Sequence, residues 1–203
     1  MRADPVMPAS RLLSLAATTY STMLAVGLAW GWLGTDDNGQ RLLQHWWTFE
    51  DGPSIAIGVG AGVLLGLIGV VLAWQLERTV PGIRQLSERF SAILAGLEPR
   101  GACILALFSS VGEEVLFRGC LQTQWGLWPA TIAFALVHVG PNRTWLWWTF
   151  SAFVCGLGLA LLYEHQGGLL APILMHFVIN AINITLLARR GASAGTPGTI
   201  LHS

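Results

Sequence analysis

The sequence predicts an all-α protein, a polytopic bundle of transmembrane helices. Of its 203 residues, 53% are hydrophobic and only 11% are charged, and the mean hydropathy is +0.58. A soluble domain carries about 25% charged residues, so this composition excludes an ordinary soluble protein. The apolar residues also gather into long runs, as in chains that cross a bilayer several times.

Six apolar segments are candidate spans, because a helix of about 20 residues crosses the hydrocarbon core. They are residues 11–33, 53–76, 99–121, 127–140, 145–164 and 169–188. The fourth is short, so we expect it to be buried among other helices. Residues 77–98 place apolar side chains three and four positions apart opposite charged ones, which predicts an amphipathic helix at the membrane interface.

This pattern predicts three regions. A two-span region with the interfacial helix occupies residues 1–98, a helical core 99–190 and a flexible tail 191–203. Most arginines fall on one side of a six-span arrangement, so the positive-inside rule predicts that both termini are cytoplasmic. The absence of lysine suggests a bacterial genome of biased composition, and hence the bacterial inner membrane. A net charge of zero predicts no nucleic-acid partner.

Ionisable and amide side chains lie inside three of the apolar segments. A charge at the bilayer centre costs about 2.5–3.5 kcal/mol on insertion scales, so such residues indicate a functional site. The candidates are Glu113, Glu114, Arg118, His138, His176 and Asn180. The tryptophan pair Trp46-Trp47 and the tryptophans at 145, 147 and 148 are instead interpreted as interfacial anchors.

Helical geometry distinguishes the two glutamates. Glu114 precedes Arg118 by four residues, the favourable order for an ion pair. Neighbouring residues point about 100° apart, so Glu113 is expected to face other partners, in the segments that carry His138 and His176. A buried Glu with His and Asn could deprotonate a water and stabilise an oxyanion. The same Glu and His side chains could instead bind zinc. Both alternatives predict a hydrolase.

Three motifs resemble those of the CAAX protease and bacteriocin-processing (Abi) family of intramembrane endopeptidases, which includes the type II CAAX prenyl endopeptidases. They are Glu-Glu-x-x-x-Arg at 113–118, Phe-x-x-x-His at 134–138 and His-x-x-x-Asn at 176–180. Any one alone is a weak match. All three occur in order, each on its own apolar segment, and the resemblance covers roughly 99–190.

The resemblance implies a role for each motif residue. Glu113 is implied as the catalytic glutamate, with His138 helping to hold the water, while His176 and Asn180 stabilise the oxyanion. Supporting roles fall to Glu114, Arg118 and Phe134. It also implies a membrane-anchored or lipidated protein or peptide as substrate. The cofactor, zinc at Glu113, His138 and His176 or none, stays open, as does the oligomeric state.

Two other functions use the same buried groups. They could form the relay of a proton- or ion-coupled transporter. The chain could also be a non-catalytic membrane immunity or scaffold protein, in which the polar residues join helices through hydrogen bonds. No inverted repeat of the kind common in transporters is visible, and every motif residue is present. Both observations favour the endopeptidase.

Overall fold

A computed structural model describes residues 8–47 and 52–195, and all of the regular structure in these ranges is helical. The helices are α1 (Ala9–Leu33), α2 (Gly52–Thr79), α3 (Pro81–Leu94), α4 (Pro99–Trp125), α5 (Leu127–Leu136), α6 (Leu146–Gln166) and α7 (Leu170–Gly195). Short 3-10 turns occupy Leu42–His45 and Arg143–Trp145. The predicted all-α class is confirmed.

Several of these helices are long and apolar enough to cross a bilayer, so the chain is an integral membrane protein. In the described ranges four helices qualify alone: Ala9–Leu33, Ser54–Thr79, Arg143–Gln166 and Leu170–Ala194. The pair α3 and α4, bent by 113°, adds a fifth if counted as one span. Helix α5, inside the predicted span 127–140, would extend only about 15 Å at 1.5 Å per residue. The predicted count of six is therefore not confirmed.

Prolines mark the start of the helix predicted between the second and third spans and the start of the helix after it. Val80 and Glu98 are extended, and each precedes a proline in the first turn of the next helix, Pro81 in α3 and Pro99 in α4. The helix predicted within 77–98 thus exists as α3, with Leu86 among its buried residues. Its position at the membrane interface, like the orientation of the termini, stays a prediction.

Helix α7 contacts α2, α3, α4 and α6 and so lies at the centre of the bundle. Against α2 the backbones approach closely, because a Cβ atom added at Gly62 would lie 2.5 Å from the Ala171 carbonyl oxygen. Against α4 the packing is antiparallel: Ser109 contacts Asn180, and Glu113, one turn later, lies beside His176. This register brings the first and third motifs together.

Helix α1 packs on α4 at the residue before the glutamates. A Cβ atom added at Gly112 would lie 2.6 Å from the carbonyl oxygen of Tyr20. Only glycine allows the two helices to approach so closely here. The contact brings the Tyr20 side of α1 next to Glu113.

The middle of α4 is a π-helix, Val115–Gln122, which the sequence analysis did not anticipate. Two of its carbonyl oxygens accept side-chain hydrogen bonds, that of Arg118 from Thr123 Oγ1 at 3.1 Å and that of Gly119 from Trp46 Nε1 at 2.8 Å. The prediction that Trp46 is an interfacial anchor is therefore wrong, since its indole is buried beside Gly119 and only Trp47 is exposed.

The last helix extends into the segment predicted as a flexible tail, 191–203. Helix α7 continues through Gly191, where the backbone lies against the Ser91 carbonyl of α3, to Gly195. The contact with α3 explains why a run of small residues does not end the helix at 190. The rest of the predicted tail, 196–203, lies outside the described residues.

The close contact at Gly112 predicts a stability difference between two glycine variants. Gly112→Ala forces a methyl group onto the Tyr20 backbone, and overpacking of this kind costs about 1–3 kcal/mol. Gly60→Ala in α2 meets no atom within 4 Å, so it is expected to be neutral or up to about 1 kcal/mol more stable. Thermal unfolding in detergent micelles measures both. Equal midpoints would contradict the close α1–α4 contact.

Candidate active site

The carboxylate of Glu114 is the centre of a buried polar network. Its Oε1 atom accepts hydrogen bonds from Arg118 Nη1 at 2.9 Å and from His176 Nδ1 at 2.7 Å. Arg118 also donates from Nη2 to the carbonyl oxygen of Gly156 in α6, at 2.9 Å. Glu114 and Arg118 are 0% and 1% exposed. The ion pair expected from the four-residue spacing is present, and it connects three helices.

Glu113 faces two imidazoles. Its Oε2 atom lies 3.9 Å from His176 Nε2 and 4.0 Å from His138 Nε2. This oxygen is buried and has no hydrogen-bond partner among the described residues. The structure therefore brings together the glutamate of the first motif and the histidines of the second and third.

His176 contacts both glutamates, contrary to the expectation that they face separate partners. The imidazole has nitrogens on two edges, and the ring lies between the carboxylates, with Nδ1 at Glu114 and Nε2 near Glu113. Side chains about 100° apart on one helix can thus reach the same residue of a neighbouring helix.

Both histidines direct the same nitrogen toward Glu113. His138 Nδ1 lies 2.6 Å from the carbonyl oxygen of Phe134, and His176 Nδ1 bonds to the Glu114 carboxylate. A carbonyl or carboxylate oxygen only accepts, so Nδ1 carries the proton in each ring. When either imidazole is neutral, its Nε2 lone pair is therefore free on the side of Glu113.

Phe134 supports the site with its ring as well as with its carbonyl group. The ring centroid lies 4.7 Å from that of His138 and 4.3 Å from Arg118 Cζ. The guanidinium thus packs on an aromatic face while it bonds to Glu114, and this arrangement partly offsets the cost of its burial.

Asn180 lies one turn after His176 in α7 and contacts α4 one turn before Glu113. Its Nδ2 atom donates to Ser109 Oγ at 3.0 Å, and no hydrogen bond joins it to Glu113 in the described residues. Ser109 is buried and was not singled out in the sequence, although its place four residues before Glu113 puts it on the same face of α4. The Asn180 amide is therefore oriented by Ser109, one turn before Glu113 in α4.

Two aromatic residues at the site were missed. The Tyr20 side chain of α1 lies near the Glu113 carboxylate, and nothing in the sequence of α1 indicated it. The Trp148 ring centroid lies 5.0 Å from that of His138. Trp148 belongs to the tryptophans interpreted as interfacial anchors. It follows His138 closely in the sequence, and this short separation could have indicated the contact between them.

The arrangement does not fit a zinc ion. No group of three or more His, Cys, Asp or Glu side chains in the described ranges could hold a metal ion. Ligands at tetrahedral zinc with bonds of 2.0–2.2 Å lie about 3.4 Å apart, whereas Glu113 Oε2 is 3.9–4.0 Å from the two imidazole nitrogens. The zinc alternative thus has no support in this geometry.

Comparison with known proteins assigns the segment that contains these motifs to a family. Residues 98–182 match the family model described as "Type II CAAX prenyl endopeptidase Rce1-like". The chain is also 41% identical over 78 residues to "Uncharacterized protein YpbD" of Bacillus subtilis, a match that covers 38% of this chain and 41% of the relative. No solved structure matches. The resemblance stated from the three motifs is confirmed for this segment. Tyr20 lies outside it.

The network around Glu114 predicts unequal effects at two arginines. Arg118→Met leaves a buried carboxylate without its guanidinium, a change that typically costs about 3–5 kcal/mol. Arg190 pairs with Glu77 but is 45% exposed, so Arg190→Met is expected to cost about 0–1 kcal/mol.

The double variant Glu114→Gln/Arg118→Met removes both charges and should regain part of the stability lost in Arg118→Met. Denaturant titration in mixed micelles measures the three unfolding free energies. A double variant no more stable than Arg118→Met would contradict the assignment of the loss to a Glu114 carboxylate without its guanidinium partner.

Proposed function

We propose that this chain, whose residues 98–182 match the type II CAAX prenyl endopeptidase family model, is an intramembrane endopeptidase. It hydrolyses a peptide bond of a membrane-anchored or lipidated protein or peptide. The observation that carries the proposal is the convergence of Glu113 Oε2 with the Nε2 atoms of His138 and His176. Each imidazole is held through its other nitrogen, so the converging atoms are free to act on a substrate.

The spacing of the three atoms supports the binding of a water molecule between them. Two atoms that share a water through hydrogen bonds of about 2.7–2.8 Å lie roughly 4 Å apart or somewhat more, and the observed separations of 3.9 and 4.0 Å are close to the lower end. Such a water donates one hydrogen bond to Glu113 and is held by the imidazole of His138. Glu113 is then placed to act as a general base, a role that contributes about 10²–10⁴ in rate.

The reaction follows from that placement. As Glu113 takes a proton from the water, the oxygen attacks the carbon of the scissile carbonyl, and the carbonyl electrons move to its oxygen. The tetrahedral oxyanion collapses, the C–N bond breaks, and the nitrogen takes up the proton from Glu113 as it leaves as an amine. Glu113 ends as a carboxylate, ready for another water.

His176 and Asn180 are the proposed donors to the oxyanion. The Glu114 carboxylate beside His176 Nδ1 stabilises the imidazolium form, in which Nε2 also carries a hydrogen. Asn180 uses one amide hydrogen on Ser109 and has a second available. Loss of one such donor typically lowers kcat by about 10²–10³.

The wider assignments belong to the same proposal. Residues 99–190 form the catalytic core, residues 1–98 support it, and the protein lies in a bacterial inner membrane with both termini in the cytoplasm. The basis is the family match within the core, the relative from a bacterium and the arginine distribution.

Replacement of Glu113 tests the mechanism. Glu113→Gln keeps the size of the side chain but removes the base, so cleavage is expected to fall by about 10²–10⁴. The matched control is Glu88→Gln on the exposed face of α3, which should cleave like wild type. Purified protein in liposomes is assayed with a fluorogenic farnesylated CAAX peptide and its unprenylated counterpart. Wild-type cleavage by Glu113→Gln would refute the general-base role.

Chelation tests the independence from zinc. Since the site does not fit the ion, the rate of peptide cleavage is expected to stay unchanged after dialysis against a zinc chelator and after return of zinc. The metal content of the dialysed protein, determined by mass spectrometry, shows that removal was complete. Activity lost on chelation and restored by zinc would overturn the metal-free mechanism.

A further inference from the structure

The side chain of His138 depends on contacts from neighbouring helices more than the other residues of the site do. It follows the end of α5 at Leu136 and lies in a turn, and its side chain is 14% exposed, against 7% for His176. One hydrogen bond, from Nδ1 to the Phe134 carbonyl, fixes one edge of the ring. Rotation about that bond would carry Nε2 away from Glu113.

Two consecutive residues of α6 bind this turn from the other side. Thr149 Oγ1 donates to the His138 carbonyl oxygen at 3.0 Å, which fixes the backbone. The Trp148 ring meets the imidazole edge to face, with the planes at 83° and the centroids 5.0 Å apart. With the Phe134 ring 4.7 Å from it, the imidazole packs against two aromatic side chains.

Trp148 is itself held by an aromatic cluster that extends outside the segment matched to the family. Its ring lies 5.1 Å from that of Trp145 and 5.2 Å from that of Phe90. Phe90 belongs to α3, and it also contacts Trp145 at 5.2 Å. Helix α3 therefore supports the His138 ring through a single intervening side chain.

We propose that Trp148, backed by Phe90 and Trp145, is a positioning residue for His138, which it holds with Nε2 directed at Glu113. This inference rests on the proposed endopeptidase function. It assigns a role in the reaction to α3, and it changes the interpretation of two of the tryptophans from a membrane belt to part of the active-site wall.

Kinetics of Trp148 variants provide the first test. Misplacing a reacting group by about 1 Å can cost about 10²-fold in rate, so Trp148→Ala is expected to lower kcat by about 10–100-fold with little change in KM. Trp148→Phe keeps an aromatic ring against the imidazole and should recover most of kcat. Trp147→Ala is the matched control, because Trp147 is partly exposed and packs on Gly82 of α3 and on Phe150, while no ring contact joins it to His138 in the described residues.

A double-variant cycle separates positioning from general damage. If Trp148 acts through His138, adding Trp148→Ala to His138→Ala should cause no further loss of kcat. Independent losses that multiply would overturn the proposal, as would wild-type kcat in Trp148→Ala. Thermal midpoints of all variants are compared. If the Ala variant does not fold, Trp148→Leu carries the test, because leucine fills part of the indole's space but packs no ring against the imidazole.

A spectroscopic measurement is independent of catalysis. In histidine-labelled protein, the imidazole resonance that disappears in His138→Ala should move in Trp148→Ala, because the ring current of the indole is lost, and stay in place in Trp147→Ala. Unchanged resonance and unchanged kcat would refute the positioning role but leave the peptidase intact. A moved resonance in a protein that cleaves no peptide would refute the peptidase but leave the contact intact.

Discussion

One oxygen atom, Oε1 of Glu114, holds the site together. It accepts hydrogen bonds from Arg118 in its own helix and from His176 in α7, while Arg118 reaches the α6 backbone at Gly156 and packs on Phe134 of α5. In a bilayer an unmatched charge is costly, so the pair is stable only in this arrangement. Burial thus makes the positions of four helices depend on one another at the point where Glu113 meets the two imidazoles.

The two histidines are held in the same way but by groups of different charge. His138 Nδ1 bonds to a neutral carbonyl group, whereas His176 Nδ1 bonds to a carboxylate. A hydrogen bond to a carboxylate is stronger than one to a neutral carbonyl group. This difference supports the proposal of separate roles, in which His138 holds the water and His176 donates to the oxyanion. The Nε2 atoms of both rings face Glu113, but the Nδ1 atoms bond to groups of different charge.

Local spacing predicted what lies within one helix. The Glu114–Arg118 pair follows from a separation of four residues, and composition was sufficient for the all-α class. What depends on packing between helices was not accessible: the buried position of Trp46, the contacts of Tyr20 and Trp148, and the ring of His176 between two carboxylates. The predicted count of six spans is not confirmed, for a related reason. A run of apolar residues shows that a segment avoids water, but α5 ends after ten residues, too soon to cross a bilayer.

The π-helix in α4 has a consequence for how related sequences are aligned. A π turn accommodates about one residue more than an α turn, so every side chain after it is rotated by about 100° from where an uninterrupted α-helix would place it. Gln122, the last residue of the π segment, donates from Nε2 to the Ala160 carbonyl oxygen. A homologue one residue shorter between Val115 and Gln122 would keep both glutamates and yet direct a different face of its helix toward lipid. A gap in this stretch therefore marks a change in the helix surface, even where the motif is identical.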